Sequence, residues 1–262
     1  MSYLFFKYQG TGNDFIIMDN RDGLIHLTTE QITFLCDRRF GIGADGLMLL
    51  NSLEGYDFAM KYYNADGRES SMCGNGGRCL TRFAYDRGIH KTLYHFMAID
   101  GEHTATLGEK DWINLKMKDV TQVQNQHGDS LLDTGSPHYV KPVPDVWSVN
   151  VYEEGRKIRY SNEFAANGIN VNFVESTDNR IIVRTYERGV EDETYSCGTG
   201  VTASALLFAH NENGFNHVDI QTKGGKLAVE FEKKGEQQFS NIWLCGPATF
   251  VFSGEIDLPA NI

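Results

Sequence analysis

The sequence predicts a protein of mixed helix and strand (α/β, of the α+β type) in two related halves, each a mostly antiparallel sheet around a central helix. A Cys-Gly-x-Gly motif occurs in each half, at residues 73–76 and 197–200, and a run of helical character follows each copy. A strand-like segment that ends in Tyr, and then a polar loop with Gly and acidic residues, precedes each copy. Around them, short apolar runs separated by turn residues follow one another like hairpins, which favours antiparallel pairing over a doubly wound parallel sheet.

The composition is that of an ordinary globular protein: 262 residues, of which 41% are hydrophobic and 23% charged. A chain of this length can bury one large core or two medium ones. Its formal charge of −11 argues against nucleic acid as a partner, because phosphate binding needs a basic surface. No apolar run is long enough to cross a bilayer, and the first residues lack the basic stretch and cleavage site of a signal peptide. Five cysteines without scaffold spacing predict free thiols in a reducing cytoplasm.

The first half, predicted as residues 1–119, begins with two strand-like runs joined by a tight glycine-bearing link that contains Asn13. A helix is predicted to begin at Thr28, which has capping-box spacing to Gln31. The segment 41–46 then matches G-x-G-x-x-G, but a dinucleotide site needs a strand before this motif and a helix after it. Here a helix comes before and a strand after, so nucleotide binding is disfavoured.

The first cysteine motif lies after a strand over 58–63, which delivers Asn64 at its end. The helix at Cys73 is predicted to run to Gly88, because glycine commonly ends helices. Three further strands complete this half. A hydrophilic passage over 121–129 is the predicted junction between the two domains.

The second half, predicted as residues 120–249, restarts this pattern. A turn with Ser136 and His138 leads into a strand, and a later strand delivers Glu187 and Arg188 at its end. His138 could titrate near neutral pH, although a single histidine in a turn is more commonly a polar cap. The run after the second cysteine motif is poor in charge and rich in Ala and Ser, which predicts a helix buried on most sides.

A cysteine at the beginning of a helix has a chemical use. The first turn leaves backbone N–H groups unpaired and carries partial positive charge, so it binds carboxylates and favours thiolate over thiol. Glycine in that turn lets a ligand approach the backbone. Two such helix ends facing each other would hold one carboxylate and place one sulfur on each face of the neighbouring carbon. This arrangement suits proton removal on one face and delivery on the other, which inverts a stereocentre.

Other uses of these cysteines remain open on spacing alone. A zinc site needs Cys or His pairs at short spacing and a redox pair is usually Cys-x-x-Cys, and neither pattern occurs around Cys73 or Cys197. A cysteine hydrolase needs a histidine and an orienting carboxamide, and His138 could be recruited for that chemistry. The plainest alternative is two structural cysteines at helix caps, since free cysteines are commonly buried.

At these residues the sequence resembles the diaminopimelate epimerase family, whose members interconvert the LL and meso forms of 2,6-diaminopimelate on the route to lysine and peptidoglycan precursors. The resemblance covers nearly the whole chain, and the set of motifs is specific although no single motif is. The motifs that carry it are Gly12-Asn13-Asp14-Phe15, Asn64-Ala65-Asp66-Gly67, Cys73-Gly74-Asn75-Gly76-Gly77-Arg78, Ser136-Pro137-His138, Tyr186-Glu187-Arg188-Gly189, Cys197-Gly198-Thr199-Gly200 and Gly246-Pro247-Ala248.

The resemblance implies the two-thiol mechanism, with Cys73 and Cys197 as alternating acid and base and with neither a metal nor a cofactor such as pyridoxal phosphate. It implies that the reacting carboxylate is held by the helix-end residues Gly74, Asn75, Gly198 and Thr199. It implies that the remaining polar groups of the substrate are bound by Asn13, Asn64, Asn170, Glu187 and Arg188. Supporting roles near the cysteines are implied for His138 and Ser136.

The family fold that the resemblance implies is two pseudo-symmetric domains, each a curled, mostly antiparallel sheet around a central helix. The C-terminal tail, about residues 250–262, would return to the first domain. The implied partner is a small molecule, diaminopimelate, rather than nucleic acid or a membrane. The sequence does not decide whether the chain forms a homodimer.

Two residues depart from the pattern of many family members. Gly46 stands where many have Gln, and Ser136 stands where many have Asn, and both family positions touch substrate. The contacts to the distal end of the substrate are therefore in doubt, and a related two-cysteine racemase of another amino acid, histidine-like or proline-like, stays an alternative. Asn75, where proline racemases usually carry His, favours diaminopimelate. A non-catalytic amino-acid-binding module on this fold would be expected to lose one cysteine, and both are present here.

Overall fold

The computed structural model describes residues 2–109 and 112–259. The chain divides into two compact units. Unit 1 contains the described residues up to Leu115 and those from Pro247 on, and unit 2 runs from Lys116 to Gly246. Among the helices of the described residues, none is long and apolar enough to cross a membrane.

The secondary structure follows one order twice along the chain. The elements up to Lys116 are β1 (Ser2–Gly10), β2 (Asn13–Asp19), α1 (Thr29–Cys36), β3 (Gly46–Asn51), β4 (Phe58–Asn64), β5 (Glu69–Ser70), α2 (Gly74–Asp86), β6 (Leu93–Ala98), β7 (Gly101–Leu107) and β8 (Trp112–Lys116). The elements that follow are β9 (Val123–Gln126), β10 (Asp129–Asp133), β11 (Pro137–Pro142), a 3-10 helix (Val146–Ser148), α3 (Val151–Arg159), β12 (Asn170–Ser176), β13 (Ile181–Glu187), β14 (Asp192–Thr194), α4 (Gly198–Leu207), β15 (Gly214–Thr222), β16 (Gly225–Lys233), β17 (Phe239–Pro247) and β18 (Thr249–Asp257).

The strand pairing within each unit shows the same repeat. In unit 1, β1 pairs antiparallel with β2, β2 runs parallel to β3, β3 and β4 are antiparallel, and β4 runs parallel to β6. Unit 2 repeats these directions: β10 pairs antiparallel with β11, β11 runs parallel to β12, β12 and β13 are antiparallel, and β13 runs parallel to β15. One outer strand is added to each unit, β18 beside β1 and β9 beside β10, both antiparallel. The predicted fold class, a mostly antiparallel α+β repeat, is confirmed.

The parallel pairs within this mixed sheet explain where the helices lie. Parallel neighbours need a crossover connection, and α1 and α2 provide the two crossovers of unit 1, as α3 and α4 do in unit 2. The central strands β3 and β12 are buried on both faces, because one helix packs on each face of the strand. Leu47 and Leu49 pack in one core with the α1 residues Ile32 and Leu35. Met48, on the other face of β3, lies next to α2.

Helix α2 lies close to the sheet because its first turn has no side chains in the way. A Cβ on Gly76 would stand 3.1 Å from the Cys73 sulfur and 3.4 Å from the Met48 sulfur. A Cβ on Gly77 would stand 2.9 Å from the Met72 sulfur. The glycines that were expected to admit a ligand therefore also let the helix pack on its own sheet.

Helix α4 is buried on nearly every side, as predicted from its low charge. Val201, Ala203, Ala205 and Leu206 are all at most 1% exposed. Its buried hydroxyl groups are satisfied inside the helix, and Ser204, for example, donates to the Gly200 carbonyl at 2.8 Å. A helix of this composition is stable only at the centre of a domain.

Several predicted boundaries are confirmed. Thr28 caps α1 with a complete capping box to Gln31. Gly88 follows the end of α2 with φ of +91°, the conformation that favours glycine just past a helix. The loop over 41–46 lies between α1 and β3, in the reverse of the order that a dinucleotide site needs.

Helix α3 was not predicted. Its signals are present in the sequence, since Asn150 caps its first turn and accepts from the Glu153 N–H at 3.3 Å. Basic residues at Arg156, Lys157 and Arg159 lie in its last turn, where they suit the helix dipole.

Candidate active site

Cys73 is the N-cap of α2 in unit 1. Its backbone is extended, with φ of −104° and ψ of 149°, and its sulfur accepts a hydrogen bond from the Gly76 N–H at 3.2 Å. The side chain is partly exposed, so a ligand can reach the sulfur. The prediction that Cys73 lies at the beginning of a helix is confirmed, and the positive end of a helix favours an anion.

Asn75, in the first turn of α2, is joined to Asn13 in the link between β1 and β2. The Asn75 carboxamide donates to the Asn13 side-chain oxygen at 3.3 Å, and the Asn13 amide donates to Asp45 at 2.6 Å. Asn13 is thus held between the first turn of α2 and the loop before β3. The structure brings two of the predicted substrate residues together, and Asp45 is an orienting residue that the sequence reasoning missed.

The carboxylate of Asp14 anchors the same loop. Arg38 donates to both of its oxygens, at 3.0 and 2.7 Å, and Lys7 forms a 2.8 Å ion pair with it. Burial by itself raises the pKa of Asp14, but the hydrogen bonds and charges of Arg38 and Lys7 outweigh it and lower the pKa to about 2. Asp14 therefore stays ionised at neutral pH and keeps the link beside Asn13 in place.

Arg78 is a second residue whose part was not foreseen, although it belongs to the motif. It is completely buried, and its guanidinium donates to the Gly74 carbonyl at 3.2 Å, to Asn75 at 3.0 Å and to Thr11 at 3.2 Å. These bonds fasten the first turn of α2 to the β1–β2 link. A buried cation one turn from Cys73 adds to the positive field of the helix end.

Asn64 is the last residue of β4 and lies in a turn, where its carbonyl accepts from the Gly67 N–H at 2.9 Å. In the sheet Asn64 is the register partner of Gly46. A Cβ on Gly46 would stand 2.5 Å from the Tyr63 carbonyl oxygen and 2.6 Å from a ring carbon of Tyr62. The departure at Gly46 therefore has a structural reason, since the Tyr62 ring fills the space that a side chain would take.

Cys197 occupies the same position in unit 2, as the N-cap of α4. It is buried, and its sulfur lies 3.5 Å from the Thr199 hydroxyl. The Thr199 carbonyl accepts a hydrogen bond from the Thr134 hydroxyl at 2.8 Å, which ties this first turn to the end of β10. Both predicted cysteines are therefore helix N-caps, and both helices are central to their units.

Ser136, Asn170 and Arg188 form one hydrogen-bonded group. The Asn170 amide donates to the Ser136 hydroxyl at 2.9 Å, and the Arg188 guanidinium donates to the same oxygen at 3.3 Å. The Asn170 side-chain oxygen accepts from the Arg188 backbone N–H at 2.9 Å. The predicted residues come together, and Ser136 acts as their shared acceptor.

Glu187 ends β13 as Asn64 ends β4, so the repeat places the two residues at equivalent points. The Glu187 carboxylate accepts from the Thr194 hydroxyl at 2.9 Å. This bond holds the side chain toward the loop that leads to Cys197.

His138, predicted as a supporting residue, is 0% exposed. Its Nδ1 lies 3.2 Å from the side-chain nitrogen of Asn172. Burial, and next the positive charge of Arg188, lower the pKa of His138 to about 3. The imidazole is therefore neutral at physiological pH, so His138 is neither an exposed polar cap nor a group that titrates near pH 7.

A metal ion in a protein is held by a cluster of side chains that can act as its ligands. Among residues 2–109 and 112–259, no three His, Cys, Asp or Glu side chains are grouped so that they could hold a metal ion.

The fold is shared with a group of known structures. The phenazine biosynthesis protein of the PhzF family from Bacillus anthracis superposes with a TM-score of 0.74 at 17% identity, over 98% of this chain and 100% of that one. A probable proline racemase from Agrobacterium radiobacter gives a TM-score of 0.66 at 13% identity, over 98% of this chain and 93% of that one. These likenesses define the class of protein: a two-domain, pseudo-symmetric α+β fold.

The family follows from the sequence comparisons. The family model for diaminopimelate epimerase matches residues 5–123 and 130–251. Diaminopimelate epimerase of Flavobacterium psychrophilum is 50% identical over 96% of this chain and 99% of its own length, and that of Chlorobaculum tepidum is 42% identical over 95% and 99%. The chain belongs to the diaminopimelate epimerase family, and the resemblance seen in the sequence is confirmed.

Proposed function

We propose that the protein is an isomerase that epimerises LL-2,6-diaminopimelate to meso-2,6-diaminopimelate without pyridoxal phosphate. The observation that carries this proposal is the pair of cysteines, each the N-cap of a buried central helix in a member of this family. The reaction serves lysine and peptidoglycan precursor biosynthesis, and we place it in the cytoplasm.

The reacting carboxylate is bound by the N–H groups at the beginning of the two helices, at Gly74 and Asn75 in unit 1 and at Gly198 and Thr199 in unit 2. One cysteine, as thiolate, takes the α-proton, so a C–H bond breaks and an S–H bond forms. The electron pair spreads into the bound carboxylate, where the helix ends stabilise the added charge. The other cysteine, as thiol, gives its proton to the opposite face of the carbon. The two sulfurs exchange protonation states in each turnover, and both must approach within roughly 3–3.5 Å of that carbon.

The rest of the substrate is proposed to be bound by polar side chains. Arg188 is a cation that Ser136 and Asn170 orient, so it suits a carboxylate of the substrate. Asn13 and Asn64 are the polar groups of unit 1, and Glu187 supplies a negative charge for an amino group. These contacts do not change during the reaction, so they are expected to set KM more than kcat.

A second candidate is the racemisation of another amino acid by the same two thiols. The observation that favours it is the changed distal residues: the serine hydroxyl of Ser136 is shorter than an asparagine amide, and Gly46 presents no side chain. The mechanism at the cysteines would be the same. The partner in either case is a small molecule, with neither nucleic acid nor membrane involved, and a homodimer is compatible with both candidates.

The experiment is proton–deuterium exchange at the α-carbon, followed by NMR in D₂O without added pyridoxal phosphate. meso-Diaminopimelate, free proline and free histidine are offered separately. Exchange with diaminopimelate alone supports the proposed function. Exchange with proline or histidine instead would change the substrate and keep the mechanism. No exchange with any of the three would contradict the proposed function, and would leave a search among other amino acids or two structural cysteines.

A further inference from the structure

The carboxamide of Asn172, a buried residue of β12, is hydrogen-bonded on both of its ends. Its nitrogen donates to the Tyr139 carbonyl at 3.0 Å and lies 3.2 Å from Nδ1 of His138. Its oxygen accepts from the Thr185 hydroxyl at 2.9 Å. Neither the sequence motifs nor the family resemblance drew attention to this residue.

These contacts decide which way the amide faces. A backbone carbonyl can only accept, so the atom beside Tyr139 must be the NH₂ group of Asn172. The second hydrogen of that NH₂ group then points at Nδ1 of His138, which must accept it with its lone pair. Because burial keeps His138 neutral, the ring has one proton, and that proton is on Nε2.

Asn172 also borders the helix that carries the second cysteine. A Cβ on Gly200 would stand 2.2 Å from the Asn172 side-chain oxygen and 3.4 Å from the Cys197 sulfur. The absence of a side chain at Gly200 is therefore what lets the carboxamide lie against the first turn of α4. The amide and the sulfur border the same small space.

From these contacts we propose that Asn172 is a positioning residue for proton transfer at Cys197: its carboxamide holds His138 as a neutral imidazole protonated on Nε2 and supports the first turn of α4. The role of Asn172 in proton transfer rests on the proposed function. The assignment of the imidazole proton does not rest on it.

This arrangement has a chemical consequence for the thiol. With Nδ1 occupied by Asn172 and Nε2 protonated, His138 has no lone pair with which to take the proton of a cysteine. In a cysteine hydrolase the carboxamide accepts from the histidine and leaves the other ring nitrogen free as a base. Here the direction of the hydrogen bond is reversed, because the carboxamide donates to the histidine. The hydrolase alternative is thus disfavoured, and the proton that a cysteine takes from substrate cannot pass on to His138.

In this arrangement the single proton of the His138 ring is on Nε2. Its Nε2 is buried and has no hydrogen-bond partner among the residues that the structure describes. A buried N–H group without a partner costs free energy. The described side-chain hydrogen bond that orients the ring is the one between Asn172 and Nδ1.

The test is the protonation pattern of His138 in the full-length protein, labelled with ¹⁵N-histidine and read by long-range ¹⁵N–¹H correlation at pH 7. The chain has 8 histidines, and the spectrum of His138→Gln identifies the resonance by its absence. The expected wild-type pattern is a protonated Nε2 and an unprotonated Nδ1. A protonated Nδ1 in the wild type would overturn the proposal, whether or not any variant folds.

Asn172→Asp supplies the catalytic part of the test. Aspartate can only accept, so it should draw the proton to Nδ1 of His138 and lower kcat for α-carbon exchange on the order of tenfold to a hundredfold, with a smaller change in KM. Asn216→Asp is the matched control. Asn216 is a buried asparagine of the same unit that donates to backbone carbonyls at 3.3 and 3.1 Å, away from the residues of the site.

The control should keep the wild-type imidazole pattern and a kcat close to that of the wild type. An Asn172→Asp protein with an unchanged pattern and an unchanged kcat would contradict the proposal. A wild-type protein that exchanges no amino acid would overturn the proposed function instead, and the imidazole assignment would stand.

Discussion

The ring of Tyr62 lies where a side chain at Gly46 would have to go: a Cβ there would be 2.6 Å from a ring carbon and 3.1 Å from the tyrosine hydroxyl. Tyr62 also packs edge-on against Phe15, with ring centroids 5.9 Å apart. Phe15 is the register partner of Gly46 on the other side. Gly46 is thus enclosed by two aromatic residues, and the glutamine of many family members has no room here.

Gly46→Gln should therefore destabilise the protein. Real Cβ atoms do not approach backbone at 2.5 Å, the distance to the Tyr63 carbonyl, so the strands must move apart. The expected loss in the free energy of unfolding is about 1–3 kcal/mol, as for overpacked cores. Urea unfolding measures it, with Glu54→Gln at an exposed position of the same unit as the control. Equal stability of Gly46→Gln and wild type would show that the strands and the Tyr62 ring move apart at no cost in free energy.

Loss of either of the two proposed catalytic sulfurs should abolish turnover. Cys73→Ala and Cys197→Ala should each lower kcat for epimerisation by about a thousandfold or more, since proton transfer on one face is lost. Cys245→Ala is the control, because Cys245 is a buried cysteine that is outside any disulfide and that the proposed mechanism does not use. Circular dichroism should show that all three variants keep the fold. A single active-site variant with near-native turnover would rule out the two-thiol mechanism.

The thiols of unit 1 should differ in reactivity. Burial raises the pKa of Cys36 to about 12, and burial likewise raises the pKa of Cys79 well above its ordinary value. At pH 8 neither should have appreciable thiolate, whereas Cys73 is partly exposed at a helix N-terminus. Iodoacetamide is therefore expected to alkylate Cys73 before Cys36 or Cys79, as read by peptide mass spectrometry. Added substrate should slow the labelling, and labelling of Cys79 first would contradict this order.

Ser136→Ala should weaken substrate binding more than catalysis. The variant removes the shared acceptor of Asn170 and Arg188. The Arg188 guanidinium then keeps its bond to the Asn167 carbonyl and loses the one to Ser136. We expect KM to rise by about fivefold to thirtyfold, the equivalent of about 1–2 kcal/mol, with a smaller change in kcat. Ser148→Ala, at an exposed serine of the same unit, is the control. A fall in kcat without a rise in KM would place Ser136 in the chemical step instead.

Acid should destabilise unit 2 through His138. Its pKa is about 3 in the folded protein and near 6.5 when unfolded, so below pH 6.5 the unfolded chain binds a proton that the folded protein does not. The stability that neutral His138 contributes is complete above pH 6.5 and is lost as the pH falls toward 3. The free energy of unfolding should decline by up to about 1.4 kcal/mol per pH unit in that range from this residue.

His138→Gln tests this directly. Urea unfolding between pH 6.5 and 5 should show a shallower dependence on pH in the variant. This range lies above that in which ion-paired carboxylates such as Asp14 protonate. His210→Gln replaces an exposed histidine of the same unit and should keep the wild-type slope. An unchanged slope in His138→Gln would mean that folding does not lower the pKa of His138.

Much of the site could be predicted because its signals are local. Cys73 and Cys197 could be placed at helix beginnings from the glycines that follow them, and both are N-caps. The end of β4 at Asn64 was predicted from a single strand pattern and its turn. Asn172 could not be predicted in this way, because its partners His138 and Thr185 are 34 and 13 residues away in the chain.

The sequence by itself determined the repeat, the two helix-capping cysteines and the family, since each depends on residues that are neighbours in the chain. The tertiary structure alone decided that Gly46 is enclosed by Tyr62 and that His138 is neutral with its proton on Nε2. The physical reason is that space and solvation are set by side chains from separate strands, which meet only when the sheet forms. Burial, which no sequence motif records, then fixes the protonation of His138.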